Sequence, residues 1–162
     1  MIHHVSIPAR NPRHVAKVLA ELMGGRAYPF PGQVPDSFMA VTGDADGTMI
    51  EVYPDTVVLD PGEGPDGQVS ARRADAPSRW PFHLLLSVKL DRASVEAIGA
   101  REGWRAAYLG RGAPGQQPVF HVIEFWVENS LMIEIATPGM LDAYTHTMRF
   151  EMLDAFGLQQ TA

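Results

Sequence analysis

Apolar residues recur along this chain in two rhythms, and the alternation between them comes round twice. Val15, Val18, Leu19 and Leu22 stand at i, i+3, i+4 and i+7, the stripe of a helix that buries one face. Asn11 can cap its start, and Pro12 suits the first turn, where its missing N–H costs nothing. Gly24-Gly25 stops it, so the spacing predicts a helix over 12–23. A short strand from Ile2 precedes this helix. Past a proline-rich stretch at 28–35, residues 37–42 and 48–53 read as strands joined by Gly43-Asp44-Ala45-Asp46-Gly47. Asp-Gly in a short polar loop between apolar runs is a hairpin signal.

The order then returns. Residues 82–90 read as a strand, Asp91 as a cap, and 92–102 as a weaker helix with Val95 and Ile98 inward. Residues 105–109 read as a strand and 110–118 as a Gly/Pro/Gln loop. Residues 119–127 and 131–136 form a hairpin about Glu128-Asn129-Ser130. Leu141, Tyr144, Met148, Met152 and Phe156 keep helical spacing in an added helix over 138–157. The expectation is an α+β chain of two βαβββ modules, 1–54 and 81–137, plus that helix, in one domain spanning 1–162. Residues 55–80, rich in Pro and Gly, read as a linker with one short strand at 56–59.

Strand parity picks out four side chains. Where one face of a strand meets a helix, alternate residues are apolar and the others face away. Val5 and Ile7 are such a pair, which turns His4 and Ser6 the other way. Ile50 and Val52 do the same for Glu51, Leu84 and Leu86 for His83 and Ser87, and Ile133 and Ile135 for Glu134. Each half thus offers one imidazole from its first strand and one carboxylate from its last, 47 residues apart in the first half and 51 in the second. Two imidazoles and two carboxylates suit one divalent ion that takes mixed N/O ligands: Ni, Mn, Fe, Co or Zn. Two buried carboxylates without a cation would be costly. His3 is the alternative first ligand, since His3 and His83 lie equally far ahead of Asn11 and Asp91, but its parity follows Val5 and Ile7.

Composition narrows the chemistry further. The 162 residues include no cysteine, which removes disulfides, thiolate metal sites and cysteine nucleophiles. Thirteen Lys+Arg against nineteen Asp+Glu give a net charge of −6, and no basic cluster is denser than Arg72-Arg73, so no nucleic-acid partner is expected. No apolar run approaches the roughly 20 residues of a membrane span, and the first ten residues lack a signal-peptide core. The expected compartment is the cytoplasm, with no membrane partner.

At these residues the sequence resembles the vicinal oxygen chelate superfamily of glyoxalases, epimerases, extradiol dioxygenases and the bleomycin and fosfomycin resistance proteins. The carrying motifs are Ile2-His3-His4-Val5-Ser6-Ile7-Pro8-Ala9-Arg10-Asn11, Gly43 through Val52, His83-Leu84-Leu85-Leu86-Ser87-Val88 and Met132-Ile133-Glu134-Ile135. They span residues 2 to about 138. The resemblance implies two βαβββ modules curved into a half-open, cupped mixed sheet with helices on its outer face. His4, Glu51, His83 and Glu134 then line the concave side as metal ligands. It also implies a homodimer, with sites built within one chain or from halves of two. The C-terminal helix lies outside the pattern.

Four protein ligands leave about two positions on an octahedral ion for vicinal oxygens of a small-molecule substrate. Chelation polarises a carbonyl, and a neighbouring proton becomes acidic enough for a carboxylate base. The first reading is therefore a glyoxalase-like lyase or isomerase, with Glu51 or Glu134 moving the proton. The second is an Fe(II) dioxygenase using His4, His83 and Glu134 as a facial triad, a reading that Glu51 opposes. The third is a non-catalytic binder, including a drug-sequestering one, with Tyr53, Trp80, Phe82 and Trp126 as stacking rings. His121 is a further acid–base candidate: a two-residue turn after its strand would bring it to the ligand face, whereas a three-residue turn would bring Glu124 there instead. His14 and His146 read as solvated.

Overall fold

The computed structural model describes residues 2–31, 34–60, 69–72, 75, 77–80, 82–112 and 116–156. Parts of the expected segments lie outside the described residues: the proline-rich stretch at 32–33, the linker at 61–68, 73–74 and 76, the start of the second module at 81, the loop at 113–115, and the end of the last helix at Gly157. The chain divides into two compact units, Met1–Phe82 with Val127–Leu131, and His83–Trp126 with Met132–Ala162.

In the first unit the apolar stripe forms helix α1 (Pro12–Met23), capped by the Asn11 side chain, which accepts the His14 N–H, and closed by Gly24 at φ 66°. Strands β1 (His4–Ala9), β2 (Arg26–Pro29), β3 (Phe38–Val41) and β4 (Met49–Pro54) form one sheet in the order β1-β4-β3-β2, with β1 parallel to β4. Ile7, Ala40, Ile50 and Val52 are buried on one face together with Val15, Leu19 and Leu22 of the helix. Strand β2 has no sequence expectation behind it: four residues ending at Pro29 make an edge strand, the place where proline is tolerated. Asp44 anchors the Asp-Gly loop by accepting the N–H groups of Asp46 and Thr48 at 3.1 and 3.0 Å. The Thr48 N–H foremost, then the Thr48 and Thr42 hydroxyls, hold its carboxyl down at about 2.

The expected linker strand appears as β5 (Val57–Asp60), and it pairs with a second strand, β6 (Val69–Arg72), that the Pro/Gly content hid. The turn at Glu128 also belongs to this unit. The Glu128 carboxylate accepts the N–H groups of Arg10 and Asn11 at 2.7 and 2.9 Å, just ahead of α1. In return Arg10 donates through Nη2 to the Glu128 carbonyl at 2.7 Å.

The second unit repeats the topology. Strands β7 (Leu84–Ser87), β8 (Ala106–Arg111), β9 (Phe120–Val127) and β10 (Leu131–Ala136) run in the order β7-β10-β9-β8, β7 is parallel to β10, and α2 (Arg92–Glu102) follows β7. Two four-stranded mixed sheets of one order realise the α+β, two-module expectation. Strand β7 is shorter than the expected 82–90, so His83 precedes it. Asp91 caps α2, accepting the Ser94 N–H at 2.8 Å. The single helix expected over 138–157 is two helices, α3 (Pro138–Thr147) and α4 (Phe150–Ala155). Thr145, His146 and Thr147 are weak helix formers, and the Thr147 hydroxyl donates to the Ala143 carbonyl at 2.8 Å, which bends the chain where periodicity alone would continue it. Among the described residues no helix is long and apolar enough to cross a membrane.

Candidate functional site

Register gives the parity argument its physical form in the first unit. In the parallel β1–β4 pair Ser6 lies opposite Glu51 and His4 opposite Met49, which places His4, Ser6, Glu51 and Tyr53 on the face that turns away from Ile7 and Val52. Glu51 is buried at 5% exposure. Its two oxygens differ. Oε2 accepts the Ser6 hydroxyl and the Tyr53 phenol, both at 2.8 Å. Oε1 faces the half-exposed His4, whose Nε2 is 3.9 Å away, too far for a hydrogen bond. Two hydroxyl donors offset the desolvation of the carboxylate and fix its plane. His3 is engaged elsewhere, with Nδ1 2.7 Å from the Asp46 carbonyl of the hairpin loop.

Tyr53 is held as a phenol. Burial pushes its pKa above the ordinary 10.0, and the hydrogen bond to Glu51 pushes the same way. A raised folded-state value means that the protonated phenol supports the fold. That support is complete below about pH 10 and is lost as pH climbs through the folded value. Urea midpoints measured along an alkaline pH series should therefore fall more steeply in the wild type than in Tyr53→Phe, and phenolate absorbance should show one late-titrating tyrosine that the variant lacks.

In the second unit the carboxylate has a cation. Glu134 lies opposite Leu85 in the β7–β10 pair, and His83, exposed, is two residues earlier, as His4 is two residues ahead of Ser6. Arg111 donates to Glu134 Oε1 from Nε at 2.8 Å and to Glu124 Oε1 from Nη2 at 2.8 Å, and Nη2 also lies 2.7 Å from Glu134 Oε1 as an ion pair. The Trp126 indole donates to the other oxygen of Glu124 at 3.2 Å. The two carboxylates hold the guanidinium charge in place: although burial of Arg111 opposes its ionisation, its pKa is raised on balance.

The turn after β9 has three residues, Glu128, Asn129 and Ser130, the first two with φ near +50°. That length puts Glu124, not His121, beside Glu134. His121 instead stacks on Tyr108, ring centroids 4.8 Å apart and planes nearly parallel, with Arg92 4.2 Å over the Tyr108 ring. His14 and His146 are exposed. Of the expected stacking rings, Tyr53 contacts Phe30 at 5.9 Å and spends its hydroxyl on Glu51, Trp126 serves Glu124, and Phe82 is exposed.

Replacing Arg111 by methionine should leave Glu124 and Glu134 repelling each other with no cation between them. All three side chains are less than a third exposed, so the expected cost is about 2 kcal/mol in urea unfolding. A further Glu124→Gln change should recover part of it.

The donor set bears on a divalent ion unequally. His4 and Glu51 fit one: an imidazole nitrogen and a carboxylate oxygen face each other, and the hydroxyl donors are on the other oxygen. Glu134 does not fit as it stands, because Arg111 occupies its Oε1 twice. Among the described residues no group of three or more His, Asp or Glu side chains is gathered to hold a metal.

No protein-family model matches the sequence, and no curated protein matches it. Solved structures do match by fold. The chain is similar to a glyoxylase/bleomycin resistance protein/dioxygenase domain from Frankia sp., with 14% identity over 85% of this chain and 96% of that one, at TM-score 0.50. Fosfomycin resistance protein FosX from Mesorhizobium loti matches with 13% identity over 90% and 97%, at TM-score 0.47. The oxidase ChaP-H2 matches with 16% identity over 85% and 92%, at TM-score 0.45. With two like-ordered four-stranded sheets behind that similarity, the chain has the fold of the glyoxalase/bleomycin resistance/dioxygenase proteins, the vicinal oxygen chelate fold.

Proposed function

We propose that the protein is a glyoxalase-like lyase or isomerase that moves a proton beside a carbonyl group, with Glu51 as the base. One observation carries the reading: Glu51 is a buried carboxylate with one oxygen locked by two hydroxyls and the other left facing an imidazole. A base must be held within reach of its proton and must have a lone pair to take it. Ser6 and Tyr53 do the holding, and Oε1 takes the proton. His4, half exposed at the rim of the same face, orients a substrate oxygen. His4 and Glu51 would also hold a divalent ion, which when bound polarises the carbonyl and makes the neighbouring C–H acidic. The substrate class this implies is a small 2-oxo or 2-hydroxy carbonyl compound.

The test is hydrogen exchange. A panel of 2-oxo aldehydes and 2-hydroxy ketones in D2O, each with the protein and Ni, Mn, Fe, Co or Zn salts, should show protein-dependent deuterium uptake at the carbon next to the carbonyl, read by proton NMR. Elemental analysis of the same samples should show less bound metal in His4→Ala than in His14→Ala. A panel without exchange in any combination would overturn the reading.

A further inference from the structure

The second unit carries an open-mouthed cavity of about 700 Å³ that the Glu51 chemistry does not use. It lies between the end of β8, the start of β9, and the two C-terminal helices, which the resemblance leaves without a role. Val119, Phe120, Met148, Leu153 and Phe156 line it, with Arg111 as its charged residue. Val119, Met148 and Phe156 are 41%, 41% and 48% exposed, so three large apolar side chains face open space around one hollow. Its size falls within the range of roughly 300–1,000 Å³ of small-molecule sites, and such sites combine an apolar lining with a few fixed polar groups.

Arg111 decides what the polar end of a ligand can be. Its Nε and Nη2 are spent on Glu134 and Glu124, and among the described residues Nη1 has only the Gly110 carbonyl at 3.5 Å, the outer limit of a hydrogen bond. Nη1 therefore has donor capacity left. The charge around it, however, is already overcompensated: two carboxylates face one guanidinium, so a third anion would be repelled. The Thr147 hydroxyl is spent on the Ala143 carbonyl. We propose that this cavity binds a neutral, largely aromatic or aliphatic small molecule whose single acceptor oxygen, a ketone or amide carbonyl, takes a hydrogen bond from Arg111 Nη1. The proposal does not depend on Glu51.

Three naphthalene probes test it on the intact protein by calorimetry and by quenching of tryptophan fluorescence. The methyl ketone should bind saturably, one per chain, about tenfold more tightly than naphthoate, and more tightly than naphthalene itself. Val119→Trp, and separately Met148→Trp, should fill the hollow and abolish ketone binding with the circular dichroism unchanged, since both positions are partly exposed. Glu51→Gln should bind the ketone as the wild type does, which separates this site from the proton-transfer reading. Absence of saturable binding, equal or tighter binding of naphthoate, or ketone binding that survives both tryptophan variants would each overturn the proposal. So would sedimentation showing that Val119→Trp dissociates a dimer while no probe binds, which would assign the hollow to a second copy of the chain.

Discussion

Glu51→Gln should abolish deuterium exchange, lowering it about 100- to 10,000-fold, the range expected when a positioned general base is removed. The substitution is chosen because it keeps the shape. A glutamine carbonyl can still accept the Ser6 hydroxyl and the Tyr53 phenol that now meet Oε2, so β1 and β4 should stay in register. What goes is the basic oxygen turned toward His4. If Glu51 acts on the reacting atom, the loss falls on kcat with KM little changed; a substrate-positioning role would raise KM instead. Tyr53 supplies an internal check. Its pKa is raised chiefly by burial and further by Glu51, so in Glu51→Gln it should still titrate late, though earlier than in the wild type. A variant with full exchange activity and the shifted tyrosine would place Glu51 in the structure and remove it from the chemistry.

How much of this was legible in the sequence depends on which interactions are local. Helices α1 and α2 keep their expected bounds because cap, inward apolar residues and Gly stop all lie within fourteen residues of chain. Face assignment was legible too, since alternation along one strand needs no partner: Ile50, Val52, Ile133 and Ile135 are buried as expected, and Ser6 was already on the face of Glu51. Pairing was not. Strand β6 shows itself only through β5, and β2 only through β3. Arg111 has no local signal in the sequence, because its separation of 23 positions from Glu134 closes only once β8, β9 and β10 are in register. The break at Met148–Arg149 was hidden because apolar spacing continues through it, while the backbone competition at Thr147 is a hydrogen bond that spacing does not record.

Phe125→Ala should be the most destabilising substitution in the second unit, costing about 3–5 kcal/mol and lowering the melting temperature by roughly 10 °C. Phe125 is fully buried and meets Trp104 edge-on, ring centroids 5.8 Å apart. Its neighbours in parity, Ile123 and Val127, are buried with it, as are Ile133 and Ile135 on the adjoining strand. Truncation leaves a cavity that these branched side chains, fixed in a sheet, cannot collapse to fill. Phe120→Ala on the same strand should cost only about 1 kcal/mol, because that ring is half-buried on the opposite parity, packed edge-on against Tyr144 at 5.3 Å. The contrast reads out which face of β9 meets the core. It is also a test of the three-residue turn: a two-residue turn would put Phe125 in the place of Glu124 beside Glu134 and strand a carboxylate in the core. A reversed order, with Phe120→Ala the costlier of the two, would mean that β9 has slipped by one residue, and the pairing of Arg111 with Glu124 and Glu134 would fall with it.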